Sequence, residues 1–91
     1  MRGIEKQIEW ANNIVNGWVD GLNKMVAEAE DRVKRNTMPP IWATICKNVA
    51  EGLILKIKTL DDAAKIIADR NAPVVISASQ IAQARYAEEK K

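Results

Sequence analysis

The side chains whose type and spacing could do chemistry are the carboxylates Glu5, Glu9, Asp61 and Asp62 and the thiol of Cys46. Glu5 and Glu9 stand one helical turn apart and Asp61 and Asp62 are adjacent, so each set has the look of an acid–base pair. Adjacent residues on a helix point about 100° apart, however. Acidic residues in a first turn also suit the positive end of the helix dipole. Glu5 and Glu9 fall on a polar helix face, and both sets read as solvated surface. Cys46 shares a face with Trp42 and Val49, which fits a small buried hydrophobe. A reactive thiol needs a depressed pKa, and only Lys47 and Lys58 are near it in sequence.

The chain has no histidine. That removes the usual base at neutral pH and the commonest metal ligand. Ser-His-Asp and Cys-His arrangements are excluded. One cysteine without histidine cannot build a structural zinc site of the usual kinds within one chain. The glycines are scattered, so no loop cradles a phosphate, and no spacing matches a calcium loop. The expectation is a protein that is not an enzyme and uses no cofactor or metal. An enzyme working with carboxylates and lysines alone would need a buried Asp or Glu in a cleft with a strongly shifted pKa.

The element that dominates the chain is an apolar stripe from Ile4 to Val33. It contains Ile8, Ala11, Val15, Trp18, Leu22, Met25 and Ala29, spaced alternately by three and four residues. Glu5, Glu9, Asn13, Asn16, Asp20, Lys24 and Arg35 lie opposite. This spacing predicts one long amphipathic helix from Gly3 or Ile4 to Arg35, with Arg32, Lys34 and Arg35 at its negative end. Gly17 and Gly21 interrupt it, each at a cost of about 1 kcal/mol relative to Ala. They lie one turn apart beside Trp10 and read as a smooth patch where another backbone approaches, or as a bend.

The remaining segments are shorter. Thr37 is placed to cap a second helix through Ile41, Trp42, Ile45, Cys46, Val49 and Leu53, with prolines in its first turn. It runs to about Lys58. Leu55-Lys56-Ile57-Lys58 alternates like a strand, so a short two-stranded element at 53–58 and 74–76 is the alternative. Thr59 with Asp62 resembles a capping box for a short helix ending near Asn71. Val74-Val75-Ile76 reads as a buried extended connector, and Ser77 with Gln80 as the cap of a last helix from about Ala78 to Glu88.

Ninety-one residues form one domain, 1–91. The fold class is all-α: a small bundle of three to four helices whose spine is the long N-terminal helix. The net charge of +2 is too mild to imply nucleic acid or an anionic membrane. No stretch is long and apolar enough to span a bilayer, and the start has no signal-peptide core. A single cysteine fits a reducing cytoplasm.

Size then points to function. Thirty helical residues extend about 45 Å, whereas a compact domain of this length is roughly 30 Å across. The first helix must bend at its glycines, or overhang and be covered by another chain. That favours a non-enzymatic, self-associating interaction module, with a homodimer preferred. The candidate interface is Trp10, Ile14, Gly17 and Gly21, because an edge Trp is enriched at interface hot spots. The alternative is a nucleic-acid-binding accessory protein using Arg32, Lys34, Arg35, Lys56, Lys58 and Arg85. Residues 60–88 also invite a helix-turn-helix reading, although the connector is longer than usual and lacks glycine.

The opening Gly3-Ile4-Glu5-Lys6-Gln7-Ile8-Glu9-Trp10-Ala11, followed by Ile14, resembles the start of small bacterial and phage proteins that begin E-K-Q-I-x-W-A-x-x-I. Many of these carry a later A-K-W-W-I-D segment. Here Ala64-Lys65-Ile66-Ile67-Ala68-Asp69 holds that place without the aromatics. The resemblance implies a phage or mobile-element origin and a small cytoplasmic helical protein. That family has no assigned biochemical activity, so no site residue transfers.

Overall fold

A computed structural model describes residues 2–89. Four helices follow in order: α1 (Glu5–Lys34), α2 (Pro40–Lys58), α3 (Ala63–Ala68) and α4 (Val74–Glu89). Among the described residues there is no strand. The suggested β pair at 53–58 and 74–76 is replaced by the end of α2 and the start of α4. Helix wins at Leu53–Lys58 because Leu53, Ile54 and Ile57 then all pack into the core.

α1 is continuous through Gly17 and Gly21. Gln7 accepts a hydrogen bond from the Ile4 N–H through its Oε1 at 3.2 Å, closing the first turn. The far end is a Schellman stop. Asn36 sits at φ 60°, the Asn36 N–H donates to Val33 O and the Thr37 N–H donates to Arg32 O. The Thr37 hydroxyl also donates to Arg32 O, at 3.0 Å. Thr37 therefore closes α1 and does not cap α2, whose N-cap is Pro39.

The same correction applies to Thr59. Its hydroxyl donates to Lys56 O at 2.7 Å and closes α2. The cap of α3 is Asp62, whose Oδ1 accepts from the Ala64 N–H, and α3 stops at Ala68. α4 begins at Val74, ahead of the expected Ser77 cap. Pro73 has no N–H to leave unpaired, so it suits the entry to a helix. The Ser77 N–H already donates to Pro73 O. The β-branched run thus forms a first helical turn, and Ile76 is 62 % exposed instead of buried.

The bundle is built on α1. α2 and α4 pack on its C-terminal half and on each other, and α3 packs on its N-terminal half alone. The main core holds Leu22, Ala29, Trp42, Ile45, Cys46, Val49, Ala50, Ile57, Ala78 and Ala82. A smaller cluster joins Ala11 to Ala63 and Ile66. Val15 and Trp18 touch both, as expected for a Trp inside the stripe. Trp42 meets Tyr86 edge-on, with ring centroids 5.6 Å apart.

α1 runs unbroken through its glycines, and the molecule takes its length from it. The molecule measures 48 × 24 × 18 Å, so it lengthens with its helix. Its radius of gyration is 15.1 Å, against about 12 Å for a compact chain of this size. α3 covers the reach of α1 that would otherwise overhang. A short pairing anchors this end: the Arg2 N–H donates to Asp61 O, and the Ala63 N–H donates to Arg2 O at 2.8 Å. Gly3, at φ 137°, lets the chain pass Ala63, whose Cβ would lie 2.9 Å from a Cβ at position 3.

Candidate functional site

The residues singled out for chemistry are dispersed. Glu5, Glu9, Asp61 and Asp62 are all exposed, and Asp62 is engaged as a helix cap. Among the described residues, no polar or charged side chain is buried and no three potential metal ligands gather. Cys46 is 1 % exposed. Burial pushes its thiol pKa up, and the nearby Arg32 guanidinium pulls it back only in part. A buried thiol kept protonated is a poor nucleophile.

Trp10, Ile14, Gly17 and Gly21 do share one side of α1, but much of that side is occupied by the chain itself. Ile14 packs against the Ala11–Ala63–Ile66 cluster. A Cβ at Gly21 would lie 2.7 Å from Val75 Cγ2 of α4. The close approach read from the glycines is therefore present at Gly21, and it is intramolecular. Gly17 has nothing within 4 Å of a Cβ built there. Trp10 is 48 % exposed, with the Arg70 guanidinium 5.7 Å from its ring centroid. Arg70, between α3 and α4, and Val75, in the first turn of α4, thus reach this stripe at its two ends and leave open space over Gly17.

The cations of the nucleic-acid alternative fall into separate groups: Lys56 and Arg85 line one cleft between α2 and α4. Arg32, Lys34 and Arg35 lie where α1 ends and α2 begins, whereas Lys56 and Lys58 end α2, about 25 Å further along that helix. Arg35 is paired with Asp31 at 3.1 Å. The helix-turn-helix reading also lacks its geometry, because α3 and α4 pack on α1 and not on one another.

Comparison with protein-family models, with curated proteins and with solved structures finds no match to this chain.

What the fold does assemble is a trough along the α2–α4 seam. One end is lined by Leu53, Lys56, Ile57, Leu60, Ala72, Pro73, Val74 and Ser77. The other is lined by Asn48, Val49, Gly52, Leu53, Lys56, Ile81 and Arg85. Leu53 and Lys56 line both, so the two stretches adjoin along the seam. The trough follows α2 for about 14 Å between Asn48 and Ile57. Its floor is apolar, its charged side chains are all cationic, and a Cβ at Gly52 would meet nothing within 4 Å.

The sequence holds only part of this signal. Gly52 marks the place where the stripe of the second helix blurs. Val74 and Ile81 could not be joined to it, because α4 has almost no apolar-to-polar asymmetry to give its orientation. The pairing of α2 with α4 is what makes these residues one surface.

Proposed function

We propose that this chain is a non-enzymatic helical interaction module of phage or mobile-element type, acting in the cytoplasm by docking a partner segment. The observation that supports the reading is the pair of adjoining clefts along α2 and α4, strongly apolar at the Pro73 end. Apolar grooves between helices commonly receive an amphipathic helix from another chain. Gly52 strengthens the case. A helix-interior glycine costs about 1 kcal/mol relative to Ala, and no neighbour within this chain needs the space it leaves. A local rule broken without a structural return points to function. The mobile-element origin rests on the resemblance of residues 3–14.

The test is a random-peptide display library panned on the wild-type chain and counter-screened on Gly52→Trp, which fills the trough. Peptides that bind the wild type and are lost on the variant are the expected result. Failure to enrich any such peptide contradicts the reading.

A second reading keeps self-association. Trp10 supports it, since it is half exposed and stands on the same side of α1 as the open space over Gly17. A homodimer would use that stripe and leave the trough free.

A further inference from the structure

The trough also carries information about the charge of what it receives. We propose that its occupant is an acidic amphipathic helix contributed by another protein; this rests on the interaction-module reading above. The apolar floor of Leu53, Ile57, Val74 and Ile81 calls for a row of aliphatic side chains. A helix supplies such a row at i, i+4, i+7 and i+11, and two to three turns fill the available length. The polar rim then selects among helices. Lys56 stands at the junction of the two stretches and Arg85 at one end, and no Asp or Glu lines either stretch. Neither cation has an ion-pair partner among the described residues. Carboxylates flanking the aliphatic row would meet both.

The same charges argue against the other occupants. A second copy docked trough to trough about a two-fold axis would bring together two rims whose charged side chains are all cationic, and like charges brought together at an interface are unfavourable. A nucleic acid would meet the two cations but gain nothing from a floor of aliphatic side chains. An acidic helix satisfies floor and rim together.

The experiment uses fluorescence anisotropy with the full chain and a labelled synthetic helix of about 14 residues. The probe carries Leu at i, i+4, i+7 and i+11 and Glu at the flanking positions, and its twin has Lys in place of every Glu. The Glu probe is expected to bind about tenfold tighter than the Lys twin, the effect of two charge contacts, and to weaken as salt is added. Lys56→Glu, at an exposed position, offsets Arg85 and removes the preference, and Lys56→Glu combined with Arg85→Glu reverses it. Gly52→Leu abolishes binding of the Glu probe. Equal binding of the two probes, or tighter binding of the Lys twin, overturns the proposal. If neither probe binds while panning still enriches trough-dependent peptides, the acidic occupant is wrong and the module reading stands. If neither probe binds and panning enriches nothing, both fail.

Discussion

Gly21 of α1 and Val75 of α4 meet so closely that a Cβ at position 21 would lie 2.7 Å from Val75 Cγ2. The glycine is a notch in the spine, and the first turn of α4 sits in it. This contact fixes where α4 starts along α1, and with it the placement of Val74 and Ser77 at one end of the trough. The side of α1 that carries Trp10, Ile14, Gly17 and Gly21 is thereby tied to the fold.

Gly21→Leu should destabilise the chain itself. Overfilling a packed contact costs about 1–3 kcal/mol, read as a lower midpoint in urea denaturation followed by circular dichroism. Val75→Ala in the same chain opens the notch and should recover a large part of the loss. Independent, additive effects of the two substitutions would show that the contact does not couple them.

Gly17 and Gly52 should behave in the opposite way. Both lie inside long helices with nothing within 4 Å of a new Cβ. Gly17→Ala and Gly52→Ala should each stabilise the fold by up to about 1 kcal/mol, through helix propensity and the reduced entropy of the unfolded chain. A loss of stability at either position would reveal a structural need for glycine there.

Cys46 should resist thiol reagents in the native chain. Its sulfur becomes accessible when the core opens, so labelling by a disulfide reagent should be slower than in urea by on the order of a hundredfold or more. Its raised pKa also has a sign. Below the ordinary value of 9.0 the thiol is protonated in both folded and unfolded chains. Above it the unfolded thiol ionises first, so stability should fall with rising pH until the folded thiol also titrates, by at most about 1.4 kcal/mol per pH unit. Cys46→Ala should remove that part of the alkaline slope, which a pH series of urea midpoints measures.

Self-association through Trp10 has a direct readout in light scattering. A mass of about twice 10.1 kDa that returns to 10.1 kDa in Trp10→Ala supports the homodimer. A mass of 10.1 kDa for the wild type over a concentration series removes it.

The long helix was legible because its apolar period is sustained over many turns. The end of α2 at Lys58 was only partly legible, because the apolar period blurs after Gly52 and Leu55-Lys56-Ile57-Lys58 alternates like a strand. Thr37 and Thr59 show what was not. A threonine hydroxyl can close the helix before it or open the helix after it, and both here serve the preceding helix. Val74–Ile76 misleads because β-branched residues favour strands locally, whereas the entry at Pro73 and the notch at Gly21 make them helical. The spacing of Trp10, Ile14, Gly17 and Gly21 does set them on one side of α1. What the spacing lacks is the partner at Gly21, since Val75 is distant in sequence and α4 has no strong apolar face to announce its docking. The trough fails to appear for the same reason: it belongs to the pairing of two helices and to neither alone.

The most direct test of the docking surface is a nuclear magnetic resonance titration of the isotopically labelled chain with a peptide panned on the wild type without counter-screening. Shifts concentrated at Asn48, Gly52, Leu53, Lys56, Val74 and Ile81 are expected, with Trp10 and Gly17 unmoved. Shifts concentrated at Trp10 and Gly17, with the α2–α4 seam unmoved, would contradict it.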